Sequence, residues 1–205
     1  IDAIAELPKG TWRNIMKVDG YEKEIELHAT LTIADDHVVL DFDGTSGLSI
    51  KGINVPLNYA MAYSVFALRC IIGPDIPNNT GSLAPFRVIG PKDCILNAQF
   101  PAPVAMRHTL GQMTPDLVFG CLSQALTNQV PAEGASCMYD LPLRNTPEAV
   151  SQGGEKFALE LVFSGGTGAR PELDGLSATA FPSGVWGSQI ETTEAVAPVL
   201  ITRRE

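Results

Sequence analysis

Between Glu24 and Ile33 the chain alternates without interruption. Ile25, Leu27, Ala29, Leu31 and Ile33 share one side, and Glu24, Glu26, His28, Thr30 and Thr32 the other. Successive side chains of extended backbone point to opposite faces, so a period of two with one apolar face marks a half-buried strand. The fold must therefore contain a sheet with one face against a core. Ala34-Asp35-Asp36-His37 supplies turn residues, Val38 to Phe42 reads as the returning strand, and Leu7-Pro8-Lys9-Gly10-Thr11-Trp12 reads as a turn leading into a strand. His28, on the polar side, is better read as a solvated strand residue than as a metal ligand. Asp41 and Asp43 flank Phe42 and share a face, a spacing that suits a metal or an acid/base pair. The plainer reading, that they cap a polar loop, is preferred.

Two buried helices are legible as well. Asn54-Val55-Pro56 opens the first, proline being tolerated at the first helical position. Leu57, Met61, Val65, Leu68 and Ile72 then recur at helical spacing, with Ala60, Ser64 and Ala67 small enough for close packing. Gly73-Pro74 ends it, and Arg69 lies where a cation suits the helix dipole. The second helix follows Thr114 as N-cap, with Pro115 and Asp116 in its first turn and an apolar stripe of Leu117, Cys121, Leu122, Ala125, Leu126 and Val130. Residues 73 to 107 are rich in Pro, Gly and Asn, with short strands near Phe86 to Ile89 and Cys94 to Leu96. An irregular stretch of that length is usually functional or covers a partner. Further strands are expected near Cys137 to Leu141 and over 157–163, separated by a soft loop from Pro142 to Gly154. Ala195 to Ile201 also reads as strand-like. The expected fold class is α+β: antiparallel strands with two main buried helices, about 56–72 and 115–130, and long Pro/Gly-rich loops, in a single segment over 1–205.

With 205 residues the chain can bury a sizeable core. Its charged fraction of 18% is low, which points to surface hidden against something else. The formal net charge of −9 argues against nucleic acid and anionic membranes as partners, since both are anionic. No apolar run approaches the ~20 residues that span a bilayer. The chain opens on Ile1-Asp2-Ala3-Ile4, without initiator methionine or signal peptide, and stops at Arg203-Arg204-Glu205, so it reads as an internal piece of something longer. Cys70, Cys94, Cys121 and Cys137 lie far apart with no CxxC pair, as expected of free buried thiols in a cytosolic protein. His28, His37 and His108 are equally scattered, and no metal site is expected from this segment alone.

The stretch with most chemical promise is Phe163-Ser164-Gly165-Gly166-Thr167-Gly168-Ala169-Arg170, followed by Pro171 and Asp174-Gly175. Glycine serves where the chain takes positive φ or comes close to another group. Successive N–H groups in such a turn can form a concavity that prefers anions, and the Arg170 guanidinium suits carboxylate or phosphate. The plainer reading is a tight turn with Arg170 ion-paired to Asp174. The loop is neither a dinucleotide fingerprint nor a P-loop, because Pro171 and Asp174-Gly175 stand where a helix should begin and Gly-Lys-Ser/Thr is absent. His108, beside Thr109 and Gln112 and just upstream of the second helix, is the best lone candidate for a site histidine. Leu176 to Gly187 is small, uncharged and glycine-punctuated, suited to close backbone approach or to a surface buried against a neighbour.

Several blocks together resemble one family: Asp41-Phe42-Asp43-Gly44-Thr45-Ser46, Asn54-Val55-Pro56-Leu57, the helix ending in Leu68-Arg69-Cys70, and Pro77-Asn78-Asn79-Thr80-Gly81. Gly165-Gly166-Thr167-Gly168-Ala169-Arg170 with Asp174-Gly175, and Phe181-Pro182-Ser183-Gly184-Val185 with Glu191-Thr192-Thr193-Glu194, complete the set. In this order, over nearly all of residues 7 to 205, they resemble the hydantoinase B/oxoprolinase family, which takes in the B component of N-methylhydantoinase, the C-terminal part of 5-oxoprolinase and the large subunits of acetone and acetophenone carboxylases. The resemblance implies ATP-dependent opening of a hydantoin- or 5-oxoproline-like lactam, in the cytoplasm, as one component of a hetero-oligomer. ATP and Mg would be bound mainly by a hydantoinase A-type ATPase subunit or domain. A lactam carbonyl is a poor electrophile; activation by the ATPase and hydrolysis in the B-type component would share the work, with preorganised donors meeting the charge that develops on oxygen.

On that reading His108, Arg170 and Asp174 are the candidate catalytic residues, and Gly165, Gly166 and Gly168 with Arg170 the candidate substrate- or anion-binding element. The family's histidine- and aspartate-rich upstream motif and its glycine-rich C-terminal region are absent here, so any divalent metal would be held by residues outside this segment. The isolated segment is expected to be inactive. The alternatives are a subunit of an ATP-dependent ketone carboxylase, or a non-catalytic interface segment of such a complex.

Overall fold

The computed structural model describes residues 1–135, 138–177, 179, 181–182 and 187–203. A short helix α1 (Asp2–Ala5) precedes strands β1 (Gly10–Val18), β2 (Ile25–Ile33) and β3 (Val38–Asp41). Helix α2 (Leu57–Ile71), a single turn α3 (Thr80–Leu83) and strand β4 (Phe86–Ile89) follow. Then come the turn α4 (His108–Gly111) and helix α5 (Thr114–Ala125). Strand β5 (Met138–Arg144), the turn α6 (Pro147–Ser151), strand β6 (Ala158–Ser164) and helix α7 (Ile190–Val196) complete the chain.

The alternating stretch is the second strand of a four-stranded sheet ordered β1-β2-β3-β4. Its apolar residues Ile25, Leu27, Ala29, Leu31 and Ile33 are all buried, as the period of two requires. The register places Trp12, Asn14, Met16 and Val18 of β1 opposite Leu31, Ala29, Leu27 and Ile25, so both strands offer one face to the helices. Helix α5 lies across β1 and β2, and α2 packs beside it and reaches β4. Three contacts seat α5: Asn14 Nδ2 donates to the Leu117 carbonyl at 3.1 Å, Gln124 Nε2 to the Arg13 carbonyl at 2.7 Å, and Cys121 Sγ approaches the Ala29 carbonyl at 3.5 Å. Gly120 is the helix residue that lets β1 come this close, since a Cβ there would stand 1.9 Å from Asn14 Nδ2.

The α+β class and both main helices hold, with corrections in detail. The β3–β4 pair is parallel, whereas antiparallel strands were expected; the stretch from 42 to 85 carries the chain round so that β4 enters beside β3 in the same direction. Cys94 to Leu96 is no strand, Cys94 making only an isolated bridge to Gly47. The apolar run from Ala195 is not strand-like: Ile190–Val196 is helical, and the chain leaves the helix at Ala197. Helix α5 ends at Ala125, short of Val130, and Thr114 does not cap it, its hydroxyl donating to the Gly111 carbonyl at 2.9 Å. Pro56 is the N-cap of α2 in extended conformation and not its first helical residue. The strand expected from Cys137 begins at Met138; Cys137 itself, like Ser183, Gly184 and Val185, lies outside the described residues.

Several blocks that carry the family resemblance are structural locks. Asp41 Oδ1 accepts the Asp43 N–H at 3.0 Å, the loop cap preferred from sequence. Beyond the end of β3, Thr45 Oγ1 accepts the His28 N–H at 2.9 Å and Ser46 Oγ the Glu26 N–H at 2.9 Å, so two hydroxyls satisfy the open edge of β2. Asn54, wholly buried, donates from Nδ2 to the carbonyls of Ser49, Lys51 and Pro103 and accepts the Ser49 N–H. Arg69 is also buried; it donates to the Ile72 and Ile76 carbonyls and to Asn78 Oδ1, closing the corner after α2. Asn79 caps α3 in a reciprocal capping box with Ser82.

Candidate functional site

The first turn of α5 is buried on every side: Thr114, Pro115, Asp116 and Leu117 are all inside. A carboxyl there is anomalous, because an acidic side chain is seldom buried without partners. Asp116 is 5% exposed, and its Oδ2 accepts one hydrogen bond, from the Gly134 N–H at 3.3 Å. Burial pushes its pKa up to about 6; the Gly134 N–H opposes that rise and the nearby Glu133 carboxylate adds to it.

The glycine loop reaches this carboxyl by running beside residues 132–135. The Ala132 N–H donates to the Ala169 carbonyl at 2.8 Å and the Ala135 N–H to the Gly166 carbonyl at 3.0 Å. On its other side the Thr167 N–H donates to the Leu176 carbonyl at 2.9 Å, and Thr167 Oγ1 accepts the Leu176 N–H at 2.9 Å. Three segments of backbone thus lie side by side, which accounts for the glycines. A Cβ on Gly168 would stand 1.9 Å from the Ala132 carbonyl oxygen, and one on Gly166 2.6 Å from that of Leu176. Neither glycine adopts left-handed φ, so close approach, and not a positive-φ turn, is what requires them. The tip closes through reciprocal Arg170–Leu173 backbone bonds of 2.9 and 3.0 Å. Arg170 Nη2 donates to the backbone carbonyl of Asp174 at 3.2 Å; the ion pair to the Asp174 carboxylate does not form.

Two cavities meet at Asp116. One is a chamber of about 340 Å³, chiefly apolar, with Cys70, Phe119, Gly168, Leu176 and Phe181 in its walls. Phe181 is held there by Phe66 and Phe119, with ring centroids 5.7 and 6.2 Å away. The other is a polar cleft of about 730 Å³, lined by Asn14, Lys17, Ser123, Asn128 and Glu133. Asp116, Phe119 and Arg170 belong to both walls. A wider cleft of about 1280 Å³ beneath β5 and β6 offers only the exposed Arg144 and Glu160 as charged groups.

Of the residues singled out from sequence, Arg170 and Gly168 line the chamber, while Gly165 and Gly166 stand at the start of the same loop. Asp174 is exposed and lines neither cavity. His108 begins α4, half-buried, and lines neither. Sequence alone marks Asp116 only as a first-turn residue. The available signal is its place between Pro115 and Leu117-Val118-Phe119, apolar neighbours that leave an acidic side chain no solvent face. Cys94 and Cys121 are buried free thiols as expected, whereas Cys70 is exposed; partial desolvation still pushes its thiol up, against the opposing pull of Arg69, which makes it a poor thiolate nucleophile. Among the described residues no three of His, Cys, Asp and Glu come together to hold a metal, and no helix is long and apolar enough to cross a membrane.

The family model for hydantoinase B/oxoprolinase matches residues 1–205. The putative B-type component of the D-/L-hydantoinase of Pseudomonas sp. (strain NS671) is 29% identical over 145 residues, covering 64% of this chain and 24% of that protein. The ATP-dependent caprolactamase from Pseudomonas jessenii shares the fold with a TM-score of 0.80 at 22% identity, over 98% of this chain and 36% of its own. An acetone carboxylase in its nucleotide-free structure follows with a TM-score of 0.71 at 19% identity, over 92% of this chain and 28% of its own. The chain thus spans about a quarter of the length of that curated relative.

Proposed function

The chain belongs to the hydantoinase B/oxoprolinase family, and we propose that it is a segment of an ATP-dependent cyclic amidohydrolase that opens a hydantoin- or 5-oxoproline-like lactam. The observation that carries this is the family match over residues 1–205, supported by a relative named as a putative hydantoinase component and a fold neighbour named as an ATP-dependent caprolactamase. In this reading the protein works in the cytoplasm with a hydantoinase A-type ATPase subunit or domain, which binds ATP and Mg, and the segment alone is inactive. The chain's own part is to hold the ring and manage charge and protons at the amide. Arg170, set beside Gly165, Gly166 and Gly168, meets negative charge developing on oxygen. In this reading Asp116, which lines the chamber as His108 and Asp174 do not, is the group that exchanges a proton with the amide.

A ketone carboxylase is the second reading, favoured by the fold shared with acetone carboxylase. One assay separates the two: ATP consumption by the full-length protein with its ATPase partner, offered 5-oxoproline, hydantoin or acetone, each with and without bicarbonate. Turnover on a lactam without bicarbonate is expected. Bicarbonate-dependent turnover on acetone alone would replace the hydrolase reading with the carboxylase.

A further inference from the structure

The chamber has one polar group that burial leaves under-partnered, the Asp116 carboxyl, set in a wall that is otherwise mostly apolar. We infer that this chamber takes the ring of a small lactam and that the Asp116 carboxyl pairs with the lactam's amide edge. The inference rests on the lactam reading above and names the site that reading leaves unassigned. A small ring forces the amide to be cis, so its N–H and C=O lie on the same edge. A neutral carboxylic acid presents a matching edge, an O–H donor beside a carbonyl acceptor, and the two close a pair of hydrogen bonds. An ionised carboxylate has only acceptors; it takes the N–H and repels the carbonyl oxygen. An open-chain secondary amide is trans and cannot offer both groups at once. The volume of about 340 Å³ suits a small ring with an apolar body.

Protonation of Asp116 is thus a condition of binding, and its surroundings favour it. Glu133, on the strand of chain before Gly134, disfavours a second negative charge nearby. Arg170 and Cys70 line the chamber, and Lys17 the adjoining cleft. With its carboxyl titrating at about 6, Asp116 is mostly neutral at pH 5 and mostly ionised at pH 7.5.

The test is a ligand-detected NMR titration of the full protein with δ-valerolactam at pH 5 and pH 7.5, beside N-methyl-δ-valerolactam and N-methylpropanamide. Circular dichroism confirms the fold under both conditions. The lactam should bind about 30-fold more tightly at pH 5, the ratio of neutral Asp116 at the two pH values. The two controls should bind at least about tenfold more weakly, each lacking one of the paired hydrogen bonds. Asp116→Asn keeps one donor and one acceptor, so it should bind the lactam equally at both pH values; Asp116→Leu should lose binding. If the leucine variant does not fold, the asparagine variant still decides the matter through its pH profile. Absence of lactam binding, binding independent of pH in the wild type, or equal binding of the N-methyl lactam overturns the inference. Lactam-dependent ATP turnover with no Asp116-dependent binding would discard the chamber and keep the hydrolase. Asp116-dependent binding without turnover on any lactam would do the reverse.

Discussion

The Gly134 N–H and the Asp116 carboxylate, 3.3 Å apart, join the first turn of α5 to the chain that leads into β5. That bond is long for a charge-assisted one and cannot offset the desolvation of a carboxyl this deep. Between about pH 4 and pH 6 the folded protein therefore holds a proton on Asp116 that the unfolded chain, with a carboxyl at its ordinary value of 3.8, has already released.

Stability should accordingly fall as pH rises from about 4 to about 6 and level off above, the sign expected of an acid whose folded pKa is raised. Full ionisation of Asp116 costs on the order of 2–3 kcal/mol. Asp116→Asn should recover part of that at pH 7.5 and flatten the pH profile. Glu26 and Asp36, held low by His28 and His37, work in the opposite sense, and the comparison of wild type with variant cancels them. Urea unfolding at pH 5 and pH 7.5 gives the answer, and a variant less stable than wild type at pH 7.5 would contradict it.

Arg170→Ala should leave the fold intact, because the side chain is exposed and makes a single hydrogen bond to a backbone carbonyl. Turnover by the assembled enzyme should fall by about tenfold or more if the guanidinium meets charge in the transition state. Unchanged turnover in a folded variant would remove Arg170 from the mechanism.

Two glycines make a matched pair. Gly168→Ala drives a methyl against the Ala132 and Glu133 carbonyls and should cost more than about 2 kcal/mol, with loss of lactam binding. A Cβ added at Gly47 would meet nothing within 4 Å, and the residue has no left-handed φ, so Gly47→Ala should stay within about 0.5 kcal/mol of wild type. Equal effects in thermal unfolding would refute the argument from close approach.

Arg69→Ala should loosen the corner after α2 more than the helix itself. The carbonyls of Ile72 and Ile76 lose their donor, at a cost of about 1–3 kcal/mol each where they stay buried. Hydrogen exchange should quicken over residues 72–78 and leave the middle of α2 protected; uniform loss of protection would show that Arg69 supports the whole helix.

The core was legible in the sequence because its signals are local. The alternation from Glu24 to Ile33 and the helical spacing from Leu57 to Ile72 each show their buried face within a few residues. What escaped depends on distant chain. Nothing near Val38 reveals that Phe86 enters parallel beside it, and nothing near Ala195 shows that the helix begun at Ile190 continues through it. The site divided along the same line. Arg170 and Gly168 were visible as types, but the reason for the glycine lay in the Ala132 carbonyl. Asp116 became a site residue only once α2, the glycine loop and Phe181 closed around it. Asn54 and Arg69, prominent in the family blocks, turned out to hold loops in place.

The parallel pairing of β3 with β4 also dictates an order of assembly. Val38 and Leu40 are fully buried, and the N–H of Val38 finds its acceptor in Pro85. A nascent chain that has emerged only as far as α2 would leave that side of β3 bare, a template for pairing with another copy. The sheet is sealed only when Phe86–Ile89 arrives, so slow synthesis or truncation ahead of residue 86 should favour aggregation over folding.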